Sequence, residues 1–563
     1  MRNVTAAQQV TAVGIVGGGP VGLTLALFLD RFGVPCVLFN AEVTTRWHPK
    51  GSSESARSME IFRLLGLADR IRALGLPQDH PTDVSYFTRF NGHELTRLTM
   101  PSRAEVLRRR REASKTDQVP EPIHRANQMH VDRMLFDHAA ARPNIVCRFG
   151  WRVDSFEQDA DGVTVTATSA QASERWRVQF LVGCDGGRSF VRRSLGIRFG
   201  GEASLEERYF GGRMFSTYIR SPELHGLLQP RQAWQYWAVN PELRSTIISV
   251  NGSDEFLFRT KAAAPNQPAD DAAVTDVLHR CAGAKPKIEV LGHEPWTAGT
   301  ALVAETFRDR RVLLAGDAVH LFTPTGGFGM NTGLEDAANL GWKLAACVQG
   351  WGGPALLASY EKERLPVALR NTGAARQLSI NINDIEVPAE IETDSAAGDI
   401  ARKVASKKLG SFAEQFASLG VQLGGRYDDS PITVADAAPP ADDFINYRPT
   451  SIPGGRTPHA WLDDDHGDGG SLYDRLGTGL TLLRVGHCPP DTSMIVCAAR
   501  DRGIPLSVVD IDDADIRDLY DCDLALIRPD HYVAWRGNAA PADAHSMLAR
   551  LVGADTGGPS QRN

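Results

Sequence analysis

The chain has 563 residues, and 42% of them are hydrophobic. One hydrophobic core rarely accommodates so many, so three or four folding units of roughly 150 residues each are expected. The 61 basic and 68 acidic residues leave a formal charge of −7. No basic block could neutralise a run of phosphates, which argues against nucleic acid as a partner.

The eight cysteines are scattered through the chain. They form no CxxC pair and no Cys/His cluster at zinc-ligand spacing, so neither a disulfide framework nor a metal site is expected. The N-terminus lacks the features of a signal peptide, and no stretch approaches 18 uninterrupted apolar residues. These features predict a soluble cytoplasmic protein without a membrane span.

The first predicted elements are a strand, a helix and a second strand. Residues 13–16 form a short apolar run, apolar residues recur at helical spacing over 21–32, and residues 35–39 are again apolar. Further along, residues 57–76 and 130–141 predict helices. Between them, residues 103–118 are charged and are expected to be exposed.

Strand patterns at residues 162–168 and 177–183 predict a small antiparallel meander, after which the chain returns to the first sheet. Residues 200–295, with strand patterns at 233–239 and 245–250, predict a separate, mostly β layer that faces the substrate, and residues 311–315 predict a buried strand. Residues 330–349 predict a helix, and helical pieces continue to about residue 423.

The C-terminal part changes character after a stretch rich in proline and aspartate at residues 436–453, which predicts a linker. Strand patterns at 480–485, 507–511 and 524–527, with a helix at 491–502, then predict a compact α/β domain.

The turn between the first strand and helix has the sequence GGGPVG, with Gly17, Gly19 and Gly22. Glycine is needed where the chain turns tightly, where the backbone approaches a pyrophosphate and where the helix packs on the strand. The helix N-terminus adds amide donors and the positive end of its dipole. The pattern predicts a dinucleotide site. The acid that usually binds the ribose is replaced by Asn40, with Glu42 as the alternative.

Two further motifs follow apolar strands. CDGGRS contains Asp185, and GDAVH contains Asp317 and opens into the loop PTGGFGMNTG before a helix. Each alone fits an ordinary Asp-Gly turn or helix cap. Together, in this order after GGGPVG, they resemble the fingerprints of the FAD-dependent group A aromatic hydroxylases, the family of para-hydroxybenzoate hydroxylase and phenol hydroxylase. The resemblance covers roughly residues 13–423.

The resemblance implies an α/β fold in which a Rossmann-type FAD-binding domain is interleaved with a mostly β substrate domain. Residues 456–462 and 524–536 also look like the thioredoxin-like appendage of the phenol hydroxylase branch. Without a CxxC this appendage can have only a structural or dimer-supporting role, so a homodimer is expected. The implied ranges are 1–199 and 299–435 for the FAD-binding domain, 200–298 for the substrate sheet, 436–455 for a linker and 456–555 for the thioredoxin-like domain.

The resemblance also implies roles for individual residues. Asp317 would hydrogen-bond the ribityl chain of FAD, Asp185 would serve both FAD and NAD(P)H, and Pro324 would place a carbonyl beside the reacting ring. Reduced flavin is anionic at its pyrimidine edge, and amides at a helix N-terminus stabilise such charge. The residues implied to surround the flavin are Gln128, Gly327, Gly329, Met330 and Asn331.

The segment from His48 to Glu60 resembles the family stretch in which an arginine covers the flavin and an RxxE-type helix start follows, here at Arg57. Lys50 stands where arginine is usual, and an ammonium holds the flavin less rigidly than a planar guanidinium. Ser52 stands where relatives have an acid or histidine that deprotonates the substrate, and a serine is a poor base. His48 is a candidate base, although a solvated loop histidine is the alternative.

The function implied is an FAD- and NAD(P)H-dependent monooxygenase that inserts one atom of O2 into a phenolic ring through a hydroperoxide at flavin C4a. The weak base suggests an electron-poor phenol, such as a nitrophenol or halophenol. A tailoring oxygenase of a polycyclic polyketide or antibiotic is the alternative. An FAD-dependent reductase and a flavin-binding protein without catalysis are the other readings. The sequence does not show whether the enzyme prefers NADH or NADPH. It also does not identify the residues that contact the substrate, for which Arg213, Trp234, Tyr236 and Trp237 are candidates.

Overall fold

The computed structural model describes residues 8–202, 212–262, 268–298, 300–383, 385–413, 416, 418–462 and 470–554. The strands are β1 Gln9–Val16, β2 Cys36–Asn40, β3 Val84–Phe87, β4 Glu94–Leu98, β5 Ile145–Phe149, β6 Arg152–Gln158, β7 Val163–Thr168, β8 Ser173–Gly183, β9 Phe199–Glu202, β10 Gly212–Arg220, β11 Gln235–Val239, β12 Arg244–Ser249, β13 Glu255–Lys261, β14 Glu289–Ala298, β15 Ala301–Ala304, β16 Arg308–Asp309, β17 Val312–Leu314, β18 His320–Leu321, β19 Trp461–Leu462, β20 Gly470–Ser471, β21 Leu480–Val485, β22 Leu506–Ile511, β23 Leu524–Ile527 and β24 Val533–Gly537.

The helices are α1 Pro20–Arg31, α2 Ala56–Leu64, α3 Ala68–Arg72, α4 Arg103–Arg111, α5 Gln128–Ala140, α6 Phe190–Ser194, α7 Pro222–Leu228, α8 Asp271–Ala282, α9 Phe328–Gln349, α10 Ala358–Asn383, α11 Ala396–Gly410, α12 Leu419–Leu423, α13 Ser493–Asp501, α14 Ala514–Tyr520 and α15 Ala544–Leu551. None of the helices in the described ranges is long and apolar enough to cross a membrane.

The first sheet has the strand order β16-β17-β8-β1-β2-β5, and β6 and β7 extend it as a meander from β8. The strands β17, β8, β1, β2 and β5 run parallel to their neighbours. Helices α1, α5 and α9 contribute to its core. A parallel sheet covered by helices buries both of its faces, which explains the continuous apolar runs of β1 and β17. This is the predicted Rossmann-type layer.

The second sheet has the order β14-β10-β13-β12-β11-β3-β4. Helices α7 and α8 cover one face, whereas the other face packs against the start of α5 and against α11. Strands β3 and β4 come from residues 84–98, outside the range expected for the substrate layer. Their sequence separation from the other strands left no local signal that they would join this sheet.

The C-terminal domain holds a sheet of order β22-β21-β23-β24, with α13 and α15 packed on one core and α14 on another. This arrangement agrees with the α/β domain expected from the sequence. All eight cysteines are free. Among the described residues, no group of three His, Cys, Asp or Glu side chains could hold a metal ion.

Two local expectations were wrong. The helix expected over residues 57–76 is divided into α2 and α3, because Gly66 takes a positive φ of 71° that ends α2. The segment 103–118, expected to be exposed, instead forms α4 and then contacts the C-terminal domain. There, Lys115 Nζ lies 2.8 Å from Asp513 Oδ2.

Candidate active site

The GGGPVG turn joins β1 to α1, and its glycines have different roles. Gly17 has a φ of 113°, and a Cβ there would lie 2.3 Å from the Cys184 carbonyl oxygen. A Cβ on Gly22 would lie 2.0 Å from the Gly17 carbonyl oxygen. A Cβ on Gly19 would meet nothing within 4 Å, and no side chain caps the helix that starts there. The space beside Gly19 at the uncapped start of α1 is therefore open and suits the approach of a pyrophosphate.

Asn40 ends β2 beside this turn. Its Oδ1 accepts a hydrogen bond from the Gly18 amide at 3.1 Å, and its Nδ2 donates to the Glu42 carbonyl at 3.0 Å. The asparagine thus fixes the glycine turn with the same atoms that were expected to bind a ribose. Glu42, the alternative, is exposed.

Asp185 follows β8, and its carboxylate caps α6. Oδ2 accepts from the Phe190 amide at 2.6 Å and from the Val191 amide at 3.1 Å, while Oδ1 accepts from the Ser189 hydroxyl. Within the protein, the Asp185 carboxylate therefore acts as a helix cap, which is one of the two interpretations that the CDGGRS motif allowed.

Asp317 lies in the turn after β17 and is held outward by a buried framework. Gly316 has a φ of 64°, and its amide donates to Asp336 Oδ2 at 3.0 Å. His320 Nε2 lies 2.7 Å from that oxygen, and Arg364 Nε donates to Asp336 Oδ1 at 2.7 Å. The Asp317 side chain is 40% exposed, and its nearest ion-pair contact is Lys50 Nζ at 4.0 Å. Its carboxylate is free to accept hydrogen bonds from a ligand.

The start of α9 presents backbone amides without a side-chain cap. Gly327 precedes the helix with a φ of 68°, and its amide donates to the Pro324 carbonyl at 3.2 Å. Gly329 and Met330 lie in the first turn, where amides have no acceptor within the helix. This helix start can bind an anionic ring edge through its backbone.

The side chain of Asn331 is engaged within the protein, contrary to the expectation that its amide faces the flavin. Its Nδ2 donates to the Ser53 and Gly327 carbonyls, and its Oδ1 accepts from the Ser55 amide and the Ser58 hydroxyl. Asn331 therefore ties the 53–58 segment to the start of α9.

Arg57 is not brought to the site either. It is 3% exposed and donates to Glu60 Oε2 at 2.8 Å and to the Asp530 carbonyl at 2.7 Å. The RxxE spacing places Arg57 and Glu60 one turn apart on α2, so the acid draws the guanidinium into the interface with the C-terminal domain.

His48 is buried rather than solvated. Its Nδ1 lies 2.9 Å from the Pro49 carbonyl oxygen, and its buried Nε2 has no hydrogen-bond partner among the described residues. The ring lies edge-on to Tyr218 of the second sheet, with 6.2 Å between centroids. Ser52 is partly buried in the same loop. The loop thus places an unpaired imidazole nitrogen against the second sheet.

Gln128 starts α5 and supports this loop. Its amide donates to the Gly51 carbonyl at 2.7 Å, and its Nε2 donates to Asp132 Oδ2 at 3.3 Å. Sequence reasoning missed two buried acids here. Burial raises the pKa of Asp132 to about 7 and that of Glu54 to about 8. The predicted helix began at residue 130, so the four-residue spacing of Gln128 and Asp132 became a helical spacing only when the structure showed that α5 starts at Gln128.

The four candidate substrate contacts divide between the faces of the second sheet. Trp234 and Trp237 belong to the core on the face toward α5. Tyr236 belongs to the core under α7 and α8, and its hydroxyl accepts from the Ala233 amide. Arg213 alternates with Met214, which faces α5, and so points to the opposite face.

The open turn at Gly19, the outward Asp317 carboxylate and the uncapped start of α9 fit the pyrophosphate, ribityl chain and anionic ring edge of FAD. Fold and site together define an FAD-binding flavoprotein. Family models agree: an FAD binding domain matches residues 10–375, and the C-terminal domain of aromatic-ring hydroxylases matches residues 450–555. The chain belongs to the family of FAD-dependent aromatic-ring monooxygenases.

Individual relatives extend this similarity over nearly the whole chain. The FAD-dependent monooxygenase apdD of Emericella nidulans is 31% identical over 96% of this chain and 90% of its own. The tetracenomycin A2 monooxygenase-dioxygenase of Streptomyces glaucescens is 30% identical over 97% of both chains. The structure of chromopyrrolic acid-soaked RebC with bound 7-carboxy-K252c has 33% identity and a TM-score of 0.87, covering 98% of this chain and 100% of that one.

Proposed function

We propose that this enzyme hydroxylates a fused polycyclic aromatic compound in the tailoring of a polyketide or antibiotic, using FAD, NAD(P)H and O2. The similarity to tetracenomycin A2 monooxygenase-dioxygenase and to RebC supports this reading over the simple phenol that the sequence favoured. The observation that carries the chemistry is the convergence of the Gly19 turn, Asp317 and the start of α9.

Each group then has a proposed task. When bound, FAD supplies the redox chemistry, accepting a hydride from the nicotinamide and activating O2. Asp317 and the amides after Gly19 hold the ribityl chain and pyrophosphate, with Asn40 shaping the turn. The Pro324 carbonyl orients the substrate, and the amides of Gly329 and Met330 stabilise negative charge on the flavin.

The proton of the ring hydroxyl needs an acceptor, and we assign it to His48. Since Nδ1 lies 2.9 Å from the Pro49 carbonyl, Nδ1 carries the hydrogen and Nε2 is left with a lone pair. That nitrogen is buried without a partner in a loop that faces the second sheet. Ser52 has no comparable basicity.

The purified holoenzyme can be tested with NADH or NADPH against 1-hydroxyanthraquinone, 2-naphthol, 4-nitrophenol and 2,4-dichlorophenol under ¹⁸O2. We expect the fused-ring compounds to stimulate NAD(P)H oxidation most strongly and to gain one ¹⁸O atom. Stronger turnover of the single-ring phenols would return the assignment to a phenol hydroxylase. Product formation without O2 would show a reductase.

A further inference from the structure

A guanidinium without a counter-ion lies on the face of the second sheet that turns toward the flavin domain. Arg259 of β13 is opposite Ser216 of β10. Across the other side of β10, Trp296 of β14 is opposite Met214. Directly paired residues point to the same face, so Arg259 and Trp296 flank β10 on one surface. The Arg259 guanidinium carbon lies 5.7 Å from the centre of the Trp296 ring.

Both side chains have hydrogen-bond donors that nothing satisfies. Arg259 Nε and Trp296 Nε1 are buried and have no partner within the described parts of the chain. No described carboxylate forms an ion pair with Arg259, and burial lowers the pKa of its guanidinium to about 10. A buried charge left unpaired costs free energy, so such a group is expected to have a partner supplied from outside the protein.

Two other arginines of this sheet have partners for at least part of their guanidinium groups. Arg244, on the neighbouring strand β12, donates to the Ile385 carbonyl. Arg220, at the end of β10, lies 3.0 Å from Glu255 Oε1. The Nε of Arg244 is likewise buried without a hydrogen bond among the described residues. Arg259 differs from Arg244 and Arg220 in that, within the described residues, the rest of its guanidinium forms no hydrogen bond or ion pair either.

The position of Arg259 relates it to the proposed base. On this face, Leu257 precedes Arg259 by two residues and is opposite Tyr218, the residue that meets His48. One such step along a strand is about 6.8 Å. A fused ring system whose hydroxyl reaches His48 would thus carry its far edge toward Arg259 and Trp296.

We propose that the substrate carries a carboxylate, which Arg259 binds through its guanidinium and Trp296 through its indole N–H. Two neighbouring donors can serve the two oxygens of a carboxylate. This inference rests on the proposed function for the identity of the ring system, but the anion subsite has its own test.

The test compares 3-hydroxy-2-naphthoic acid and anthracene-2-carboxylic acid with their methyl esters, by calorimetric titration of the holoenzyme. In the wild type, each acid is expected to bind more tightly than its ester. Removing one partner of a buried charge pair costs at least about 2 kcal/mol, so Arg259→Met should weaken acid binding by about 30-fold or more and leave ester binding unchanged. Arg259→Lys should retain part of the preference, and Trp296→Phe should reduce it.

Thermal unfolding supplies a second readout that does not need turnover. Because Arg259→Met removes an unpaired charge, the free variant should be at least as stable as the wild type, but the acids should no longer raise its Tm. Arg152→Met, at a side chain that is 73% exposed in β6, is the matched control and should behave as the wild type.

Equal binding of acid and ester by the wild type would overturn the proposal, as would an undiminished preference in Arg259→Met. Binding of 3-hydroxy-2-naphthoic acid through Arg259, with no hydroxylation of this acid or of the neutral fused-ring compounds, would leave the subsite standing and refute the proposed function. Hydroxylation of neutral polycyclic compounds without any preference for acids would support the proposed function and refute the anion subsite.

Discussion

At the scale of single residues, the site separates side chains that remain available to a ligand from those used by the protein. Asp317 and His48 keep atoms that are available to a ligand, whereas Asn331 and Arg57 hold neighbouring segments through their hydrogen bonds. The sequence motifs contain all four residues. Only their partners distinguish a binding group from a supporting one.

Replacing Asp317 with alanine should weaken FAD binding without unfolding the protein. The carboxylate is 40% exposed and supports no buried contact, so its loss costs the ligand a hydrogen bond to a charged group, about 1.5–3 kcal/mol or at least tenfold in Kd. Titration of apoprotein with FAD, followed by flavin fluorescence, measures this. The exposed Asp161→Ala serves as the control, and an unchanged Kd in Asp317→Ala would contradict the assignment.

Replacing His48 with glutamine should slow hydroxylation while FAD content stays at the wild-type level. A general base contributes about 10²- to 10⁴-fold to a rate. His48 is the residue that we propose as the acceptor of the substrate proton. Single-turnover rates against pH are the measurement. His487→Gln, at an 88% exposed side chain, is the control. A wild-type hydroxylation rate in His48→Gln would show that another residue is the base.

Replacing Glu54 with glutamine should change how stability depends on pH. Burial raises the pKa of Glu54 from 4.5 to about 8. The protonated carboxyl therefore stabilises the fold fully below pH 4.5, and this contribution is lost as the pH rises through 8, by at most about 1.4 kcal/mol per pH unit.

Urea unfolding between pH 5 and pH 9 tests this expectation. The wild type should lose stability relative to Glu54→Gln as the pH rises, whereas the exposed Glu42→Gln should follow the wild type. Parallel pH profiles for wild type and Glu54→Gln would show that Glu54 keeps an ordinary pKa.

At the scale of elements, the connections after parallel strands carry the binding groups. The turn after β1, the turn after β17 and the start of α9 all lie at the carboxyl edge of the first sheet. Parallel strands end at one edge, so motifs that are 300 residues apart in the chain become neighbours. The order of the motifs in the sequence supplied the family resemblance, and the structure shows the shared edge at which they lie.

Gly19→Ala should separate ligand binding from folding. At Gly19 the backbone has a φ of −81°, which alanine adopts without strain, and a Cβ meets no protein atom. The methyl group would instead occupy the approach of the pyrophosphate. We expect an unchanged Tm of the apoprotein and a Kd for FAD raised at least about tenfold.

Two other glycines provide the controls for this turn. Gly33→Ala, at a φ of 71° in open space, should cost about 1 kcal/mol of stability and leave FAD binding intact. Gly17→Ala should not fold, because its Cβ would collide with the Cys184 carbonyl. Wild-type FAD affinity in Gly19→Ala would refute the pyrophosphate assignment.

At the scale of the whole molecule, buried ion pairs join the C-terminal domain to the helices of the flavin domain. Arg528 lies 2.6 Å from Glu363 of α10, which also pairs with Lys343 of α9 at 2.6 Å. Arg456 pairs with Glu60 of α2, the partner of Arg57. The C-terminal domain is therefore tied to α9, the helix whose start is proposed to bind the flavin, and these ion pairs support the structural role expected for a domain without CxxC.

Arg528→Met should destabilise both units together. The substitution removes the positive charge that pairs with the buried carboxylates of Glu363 and Asp530. Breaking such a buried network costs about 3–5 kcal/mol of folding stability. Urea unfolding, followed by tryptophan fluorescence, is expected to shift as one transition. Arg133→Met, which breaks an exposed pair on α5, should change stability by no more than about 1 kcal/mol.

A shift of Arg528→Met no larger than that of Arg133→Met would mean that the interface network contributes little. Separate transitions, with only one of them displaced, would show that the two units unfold independently.

The sequence by itself determined the dinucleotide-binding layer, because glycine spacing between an apolar strand and a helix is a local signal of a phosphate-binding turn, and the resemblance carried by the two Asp-Gly motifs implied FAD. It also predicted the C-terminal α/β domain, through strand patterns after a proline-rich stretch. The RxxE spacing also indicated the local pair of Arg57 and Glu60. The tertiary structure alone decided that Arg456 joins this pair and that Arg259 has no ion-pair partner among the described residues, because burial and distant partners arise only when separate strands and helices pack.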